Sequence, residues 1–186
     1  MTTIVFRKIY DDIEIAYDTQ TTQGNAGHQT TVEKVFVNND TILAVSGSTA
    51  AKSAIKHADL PEYSHSDPEF FVVRELLPAI RKALAPLDLG DEAFEVIAVV
   101  DGEIFESYKA TEANRNVNEV YATGSGWQLA LGALAMGGNA RDAVNVAGEY
   151  DIYTSGAVST TARTLLGTLP TTGPLLVEAP FEAVAA

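Results

Sequence analysis

The order of strand-like and helix-like segments predicts an α+β fold with β-sheets lying between layers of helices. Four segments rich in β-branched and aromatic residues come first and two helix-like segments follow; a β-hairpin then precedes another strand and two more helices. Runs of strands followed by runs of helices are typical of α+β layering, not of a parallel βαβ sheet. The 186 residues show no linker, internal repeat or low-complexity stretch. We therefore expect residues 1–186 to form a single domain.

The first part of the sequence contains the four predicted strands. Residues 10–12 (YDD) form a tight turn between the first two strands, and residues 38–40 (NND) separate the last two. Between the two pairs, residues 20–29 (QTTQGNAGHQ) have turn chemistry, so we expect a turn region there. The four strands cover residues 2–9, 13–19, 31–37 and 41–46.

The middle of the sequence changes to helical periodicity. Residues 49–58 can form one helix, and Asp67 and Pro68 are typical of the N-cap and first position of a second. A hairpin follows, with strands at 93–100 and 103–108 around an Asp-Gly turn. The apolar stripe that predicts the second helix consists of Phe71, Val72, Leu76, Leu77, Ile80 and Leu84.

The last third of the sequence predicts a strand, two helices and a tail. The strand near 118–123 leads into Gly124, Ser125 and Gly126, and the helices cover about 127–136 and 140–150. The segment at 174–179 (PLLVEA) is interpreted as a terminal strand or loose end, and residues from about 180 to 186 as a loose C-terminal tail.

Composition excludes several classes of function. The chain has no cysteine, and its three histidines, His28, His57 and His65, show no metal-ligand spacing. The 25 acidic and 12 basic residues give a net charge of −13, which would repel a phosphate backbone and argues against nucleic acid as a partner. No apolar run approaches the roughly 20 residues of a membrane helix, and no signal peptide is recognisable at the start. We expect a soluble, cytoplasmic protein without a membrane partner.

The first residues suggest a catalytic centre. Methionine aminopeptidase generally removes Met1 when the next residue is as small as threonine, which would give Thr2 a free α-amine with a pKa of about 8. The hairpin would return Asp18 to within a residue or two of Thr2, and a third strand could bring Lys34 alongside. The alternative is an ordinary start of a chain with a surface ion pair, worth about 0–1 kcal/mol.

Several separated motifs, in matching order, resemble a known family over most of the chain. The intervals from Thr2 to Asp18 and from Thr2 to Lys34 fit without gaps the peptidase subunit of the bacterial HslUV protease, a homologue of the proteasome β subunit. The matching motifs are residues 2–5 (TTIV), 18–25 (DTQTTQGN), 32–35 (VEKV), 46–51 (SGSTAA, closer to the proteasomal version), 123–126 (TGSG) and 147–156 (AGEYDIYTSG).

The resemblance implies an N-terminal-nucleophile hydrolase fold, a four-layer αββα sandwich with two antiparallel sheets between helix layers. It implies that Thr2 is the nucleophile, that Lys34 lowers the pKa of its hydroxyl, and that Asp18 pairs with Lys34. The backbone N–H of Gly47 would supply the oxyanion hole.

The resemblance extends to residues around the nucleophile. Three polar residues, Ser125, Asp151 and Thr154, resemble the group that sets the protonation of the terminal amine. Substrate contacts would come from the backbone of Thr22, which would pair with an extended peptide, and from Val45 and Thr49 in the pocket for the residue before the cut; Val45 would favour apolar or medium side chains. In some relatives the carbonyls at the positions of Gly148, Asp151 and Thr154 hold a monovalent cation, so the resemblance allows a structural Na⁺; no other cofactor is expected.

The implied function is a threonine endopeptidase in a homo-oligomeric ring or double ring, with unfolded polypeptide as substrate and an ATP-driven AAA+ unfoldase as the expected partner. Tyr17 and Thr49 depart from the family pattern and put substrate preference in doubt more than chemistry. The alternatives are a catalytically silent ring or scaffold protein that retains Met1 and a related amidase acting on a small amide, which the proteasome-type motifs make less attractive.

Overall fold

The computed structural model describes residues 2–10, 12–23, 26–29, 33–64 and 66–164. The strands in these residues are β1 (Thr3–Ile9), β2 (Asp12–Asp18), β3 (Gln20–Gln23), β4 (Ala26–Gln29), β5 (Val35–Asn38), β6 (Thr41–Gly47), β7 (Phe94–Val100), β8 (Glu103–Tyr108), β9 (Asn114–Asn116), β10 (Val120–Gly124) and β11 (Val158–Thr164). The α-helices are α1 (Thr49–Lys56), α2 (Pro68–Phe71), α3 (Leu77–Leu84), α4 (Trp127–Ala135) and α5 (Ala140–Tyr150).

Two antiparallel sheets form the centre of the molecule. The first has the strand order β10-β1-β2-β11, and the second has the order β5-β6-β7-β8-β9. Strands β3 and β4 form a separate hairpin. In the first sheet Ile4 lies opposite Tyr17 and Thr3 lies opposite Gly124, so β2 and β10 both end beside the start of β1.

Apolar residues form three layers, one between the two sheets and one on the outer face of each sheet, beneath the helices. The layer between the two sheets joins Ile4, Phe6, Ile13, Ile15 and Tyr17 to Val35, Ile42, Ala44, Ile97, Val99 and Ile104. On the outer face of the first sheet, Val5, Ala16 and Ala122 pack against small residues of α4 and α5. On the outer face of the second, residues such as Leu43, Val96 and Phe105 pack against α1, α2 and α3. This order of layers confirms the αββα sandwich.

A short π-helical segment, Val72–Leu76, joins α2 to α3. Pro78 lies in the first turn of α3 and has no N–H to donate to the carbonyl four residues earlier. The N–H of Leu77 donates to the carbonyl of Val72, five residues back, which is the π pattern. The helix continues through the proline, and all six residues of the predicted apolar stripe are buried.

The structure confirms most predicted elements and corrects the others. Residues 20–29 were expected to be a turn region, but 20–23 and 26–29 pair as antiparallel strands, and Gly27 lies in β4 opposite Thr22. The third predicted strand begins at Val35, so Lys34 precedes it. The short β9 and the seven-residue β11 were missed, β11 because its alternation of Ser, Thr and Ala is weakly apolar. The tail at 174–186 lies outside the described residues.

Candidate active site

Asp18 and Lys34 form a buried ion pair where β2 ends. The Nζ atom of Lys34 lies 2.7 Å from Oδ1 of Asp18, and both side chains are only 1% exposed. Nζ also donates to the carbonyl of Gln20 at 2.7 Å. The second carboxylate oxygen of Asp18 accepts the amide of Gln20 at 3.2 Å. The pair is therefore held by hydrogen bonds on both sides, which a buried pair needs in order to offset its desolvation.

The same pair is linked to the start of the chain. Oδ1 of Asp18 accepts the amide of Thr3 at 2.8 Å, so one oxygen atom binds both the Lys34 ammonium and the peptide group that joins Thr2 to Thr3. The register of β1 and β2 produces this contact, as the sequence predicted. Thr2 itself is buried.

Burial lowers the pKa of Lys34 to about 8 from its usual 10.5. Asp18 acts in the opposite direction through its charge and hydrogen bond, and the charge of Lys52 lowers the value further. The effect of desolvation on the pKa of Lys34 is larger than the opposing effect of Asp18, so the side chain can lose or gain a proton near pH 8. A lysine with this property is suited to assisting a hydroxyl nucleophile.

The loop after β10 holds Thr2 from the other side. The amide of Ser125 donates to the carbonyl of Thr2 at 2.8 Å, and the Ser125 hydroxyl lies 3.5 Å from the same oxygen. Gly124 has a φ of +94°, and a Cβ at this position would overlap the carbonyl of Thr2. Only glycine allows this close approach, which brings Ser125 to Thr2.

A chain of hydroxyl hydrogen bonds runs from Thr3, the neighbour of Thr2, to Asp151. The Thr154 hydroxyl donates to Oδ2 of Asp151 at 2.7 Å, and the two hydroxyl oxygens of Thr3 and Thr154 lie 2.6 Å apart. The Gly126 amide donates to Thr3 at 3.0 Å. Since the Thr154 proton is committed to Asp151, Thr3 must donate to Thr154. Thr3 therefore connects the groups, a role that the sequence analysis did not assign.

Asp151 is kept ionised by its hydrogen bonds. Burial alone would raise its pKa, but hydrogen bonds from Ser125, Thr154 and the amide of Tyr153 hold the pKa below its ordinary value. The structure thus brings together Ser125, Asp151 and Thr154 near the start of β1, as the resemblance implied.

Gly47 forms the end of β6 in a conformation that requires glycine. Its φ is +88°, and a Cβ would overlap the carbonyl of Ala93. Next to it, the Ser46 hydroxyl lies 3.3 Å from that of Thr123 on β10. Ser48 caps α1 by accepting the Ala51 amide at 3.2 Å. Hydrogen bonds of Ser46 and Ser48, on either side of Gly47, therefore fix the bend that would present the Gly47 amide.

The residues expected to contact substrate lie in different environments. Val45 is buried in the apolar layer beneath α1, and its amide donates to the carbonyl of Lys34 at 3.0 Å. Thr49 is exposed at the first position of α1. Thr22 lies on β3, and its side chain is outside the described residues. Their roles in binding stay predictions.

A cavity of about 160 Å³ lies beside the predicted cation position. Gly148 and Thr154 contribute to its wall, whereas Asp151 does not, and the carbonyl of Asp151 already accepts the Thr154 amide at 2.9 Å. Two of the three predicted residues therefore line this cavity, and the Na⁺ site stays a prediction. In the part of the chain that the structure describes, no group of three His, Asp or Glu side chains could hold a metal ion.

Lys52 is a charged residue of the site that the sequence analysis missed. It lies on α1, is only 4% exposed, and interacts electrostatically with both Asp18 and Lys34. Burial lowers its pKa, and Asp18 partly restores it. The available signal was helical spacing, because position 52 falls on the same face of α1 as the buried Ile55.

Comparisons with known proteins support the fold. No protein-family model matches the chain, and no curated protein matches its sequence. Among solved structures it is similar to Thiobacillus denitrificans BPH in complex with epoxomicin, with a TM-score of 0.71 and 24% identity over 89% of this chain and 100% of that one. Eukaryotic HslV from Trypanosoma brucei has a TM-score of 0.62 and 18% identity over 87% of this chain and 98% of that one.

A third similar structure is Anbu, an ancestral β-subunit from Yersinia bercovieri, with a TM-score of 0.67 and 10% identity over 87% of this chain and 81% of that one. At these identities the likeness establishes the architecture, which is the N-terminal-nucleophile hydrolase fold of proteasome-like proteins. The resemblance read from the sequence is confirmed at that level. In the described residues, no helix is long and apolar enough to span a membrane.

Proposed function

We propose that this chain, which has the fold of proteasome-like proteins, is a threonine endopeptidase whose nucleophile is Thr2 after removal of Met1. The observation that carries the proposal is the buried Asp18–Lys34 pair, one oxygen of which also binds the peptide group between Thr2 and Thr3. A buried pair of this kind is costly as a purely structural device, because apolar residues would stabilise the same position as well. Next to the Thr2 hydroxyl, the pair would have a chemical use, because its ammonium would stabilise the negative charge that forms when the hydroxyl loses a proton.

The proposed reaction begins when the α-amine of Thr2 accepts the proton of its own hydroxyl. The hydroxyl oxygen attacks the carbonyl carbon of a substrate, and the Lys34 ammonium stabilises the developing negative charge on the nucleophile. The Gly47 amide would bind the oxygen of the tetrahedral intermediate. The protonated amine then gives its proton to the leaving nitrogen as the C–N bond breaks. Water hydrolyses the resulting ester by the reverse sequence of proton transfers.

The hydroxyl chain has a supporting role in this scheme. Asp151, held ionised, draws the protons of Thr154 and Thr3 toward itself, which fixes their orientation. Ser125 binds both the carbonyl of Thr2 and the Asp151 carboxylate. The group would position the new α-amine and stabilise its protonated form.

The wider assignment belongs to the same proposal. The chain would assemble into a homo-oligomeric ring or double ring in the cytoplasm, receive unfolded polypeptide, and work with an AAA+ unfoldase. A structural Na⁺ near Gly148 and Thr154 is compatible with the cavity there. The fold of the solved structures it resembles supports these proposals by analogy only.

The test combines an intact mass with hydrolysis of fluorogenic peptides. We expect the purified protein to lack Met1 and to release fluorophore, and Thr2→Ala to reduce the rate by at least about a hundredfold, as loss of a nucleophile does. Thr2→Ser, which keeps a hydroxyl, should retain part of the activity. Thr111→Ala, at an exposed turn, is the matched control and should leave the rate unchanged.

Two results would overturn the proposal. Retention of Met1 in an inactive, assembled protein would establish the silent ring or scaffold in its place. Turnover of small amides but not of peptides by a processed chain would indicate an amidase.

A further inference from the structure

Lys52 carries a buried positive charge for which the described residues supply no ion-pair partner. Its side chain is 4% exposed, and its backbone amide continues α1 by donating to Ser48. The carboxylate that attracts it most, Asp18, is already bonded to Lys34 at 2.7 Å and to two backbone amides. One carboxylate therefore faces two ammonium groups.

Nearby acids are engaged elsewhere. Glu33 binds Lys56 at 2.6 Å, and Glu92 accepts the hydroxyl of Ser48. Lys52 also lies near the N-terminus of α1, where the helix dipole is positive and disfavours a cation. A buried ammonium without a counter-ion is unfavourable in general. Because the nearby acids of the described residues are engaged, Lys52 is suited to bind a negatively charged group of a ligand.

The position of Lys52 indicates what that partner is. In the proposed reaction, the substrate carbonyl lies between Thr2 and the Gly47 amide. The side chain of the residue that bears this carbonyl is then next to the segment that follows Gly47, which is the first part of α1. Lys52 is five residues beyond Gly47, lies on that helix, and interacts electrostatically with both Asp18 and Lys34.

We infer that Lys52 selects substrates with an acidic side chain, glutamate or aspartate, at the position before the cleaved bond. This inference rests on the proposed peptidase function and names its substrate class. This acidic preference differs from the apolar preference expected from Val45, which stays a prediction. A substrate carboxylate would neutralise the excess positive charge of the site and form a charge-assisted hydrogen bond.

The competing role for Lys52 is to tune Lys34 through its charge. Such an effect acts on the nucleophile and changes the rate for every substrate by the same factor. Selection acts on one substrate side chain and changes the ratio between two substrates. The ratio of the rates for two substrates with different side chains therefore distinguishes the two roles.

The experiment compares two fluorogenic peptides that differ only in glutamate or glutamine before the cleaved bond. We expect wild type to prefer glutamate by about tenfold or more in kcat/KM, the usual size of one charge-assisted hydrogen bond. Lys52→Met should bring the ratio close to one, and Lys52→Arg should restore a preference for glutamate. Lys56→Met, on the same helix but paired with Glu33 at the surface, is the control and should keep the wild-type ratio. A ratio near one in wild type, or an unchanged ratio in Lys52→Met, would overturn the inference.

A second readout keeps the inference independent of turnover. Binding of the same two peptides to Thr2→Ala, measured by calorimetry with and without Lys52→Met, should show the same preference for glutamate. Equal, Thr2-dependent cleavage of both peptides would remove the inference and leave the peptidase proposal standing. Preferential binding of the glutamate peptide without any cleavage would remove the peptidase proposal and keep the acidic ligand preference. Equal binding of both peptides without cleavage would remove both.

Discussion

At the scale of single residues, the site depends on one carboxylate oxygen. Oδ1 of Asp18 binds the Lys34 ammonium and the Thr3 amide, so the charge pair and the backbone of the proposed nucleophile share an atom. Removing either charge leaves the other buried and unpaired. The residues of the pair are therefore coupled in stability as well as in the proposed chemistry.

The lowered pKa of Lys34 predicts a specific pH dependence of stability. The folded value is about 8 and the unfolded value about 10.5, so the unfolded chain binds more protons between these pH values. The contribution of Lys34 to the free energy of unfolding should therefore rise from pH 8 to pH 10.5, by at most about 1.4 kcal/mol per pH unit. It should be at its lowest below pH 8.

Urea unfolding of wild type and Lys34→Met over this pH range tests the prediction. The difference in unfolding free energy between wild type and variant should shift in favour of wild type as the pH rises. The exposed Lys82→Met, on α3, provides the control, with a constant difference. Parallel curves for wild type and Lys34→Met would contradict the prediction.

Thr3 and Thr41 form a matched pair for a second prediction. Both are buried threonines, but the Thr3 hydroxyl links Gly126 to Thr154, whereas no described residue bonds the Thr41 hydroxyl. Thr3→Val should lower the unfolding free energy by about 1–3 kcal/mol because it orphans polar partners. Thr41→Val should be neutral or stabilising. Chemical denaturation of the two variants measures the contrast, and equal losses would contradict the hydroxyl chain.

At the scale of elements, the site is where the ends of several strands and loops converge. β1 begins between the end of β2 and the loop after β10, and β6 ends at Gly47 where α1 begins. A glycine with positive φ lies at the end of both β10 (Gly124) and β6 (Gly47), because a side chain there would overlap a neighbouring carbonyl. Local backbone geometry, and not only side-chain chemistry, sets the arrangement.

Gly124→Ala should disturb both stability and activity. The added methyl group would overlap the carbonyl of Thr2 and would force alanine into a left-handed conformation, for an expected loss of more than about 1 kcal/mol. Gly132→Ala, inside α4 with open space around the new methyl, should be neutral or stabilise by up to about 1 kcal/mol. Thermal melting of both variants, with peptide hydrolysis beside it, provides the measurement. Similar melting temperatures for the two would count against a tight contact at Gly124.

At the scale of the whole molecule, α4 leaves apolar side chains at the surface. Trp127 is 44% exposed, and Met136, the C-cap of this helix, is 89% exposed. Under the proposed assembly these residues would be covered by a neighbouring subunit. Exposed aromatic and methionine side chains are frequent at such interfaces.

The corresponding prediction concerns oligomeric state. Light scattering of the wild type should give a mass several times that of the subunit, and Trp127→Glu should shift it toward the subunit mass because a charge would be desolvated in the interface. Val117→Glu, at an 85% exposed position in the loop between β9 and β10, should keep the assembly. A monomeric wild type at working concentration would remove the ring from the proposal.

The sequence by itself determined the layered α+β architecture and the group of Thr2, Asp18 and Lys34. Periodicity and turn residues specify single elements, and a short hairpin sets the register of its own two strands. Only the tertiary structure decided that the Thr3 hydroxyl would connect Gly126 to Thr154, and that Lys52 would be buried near the ion pair. These contacts join residues on different layers, and the packing of two sheets and their helices, which no local pattern encodes, brings them together.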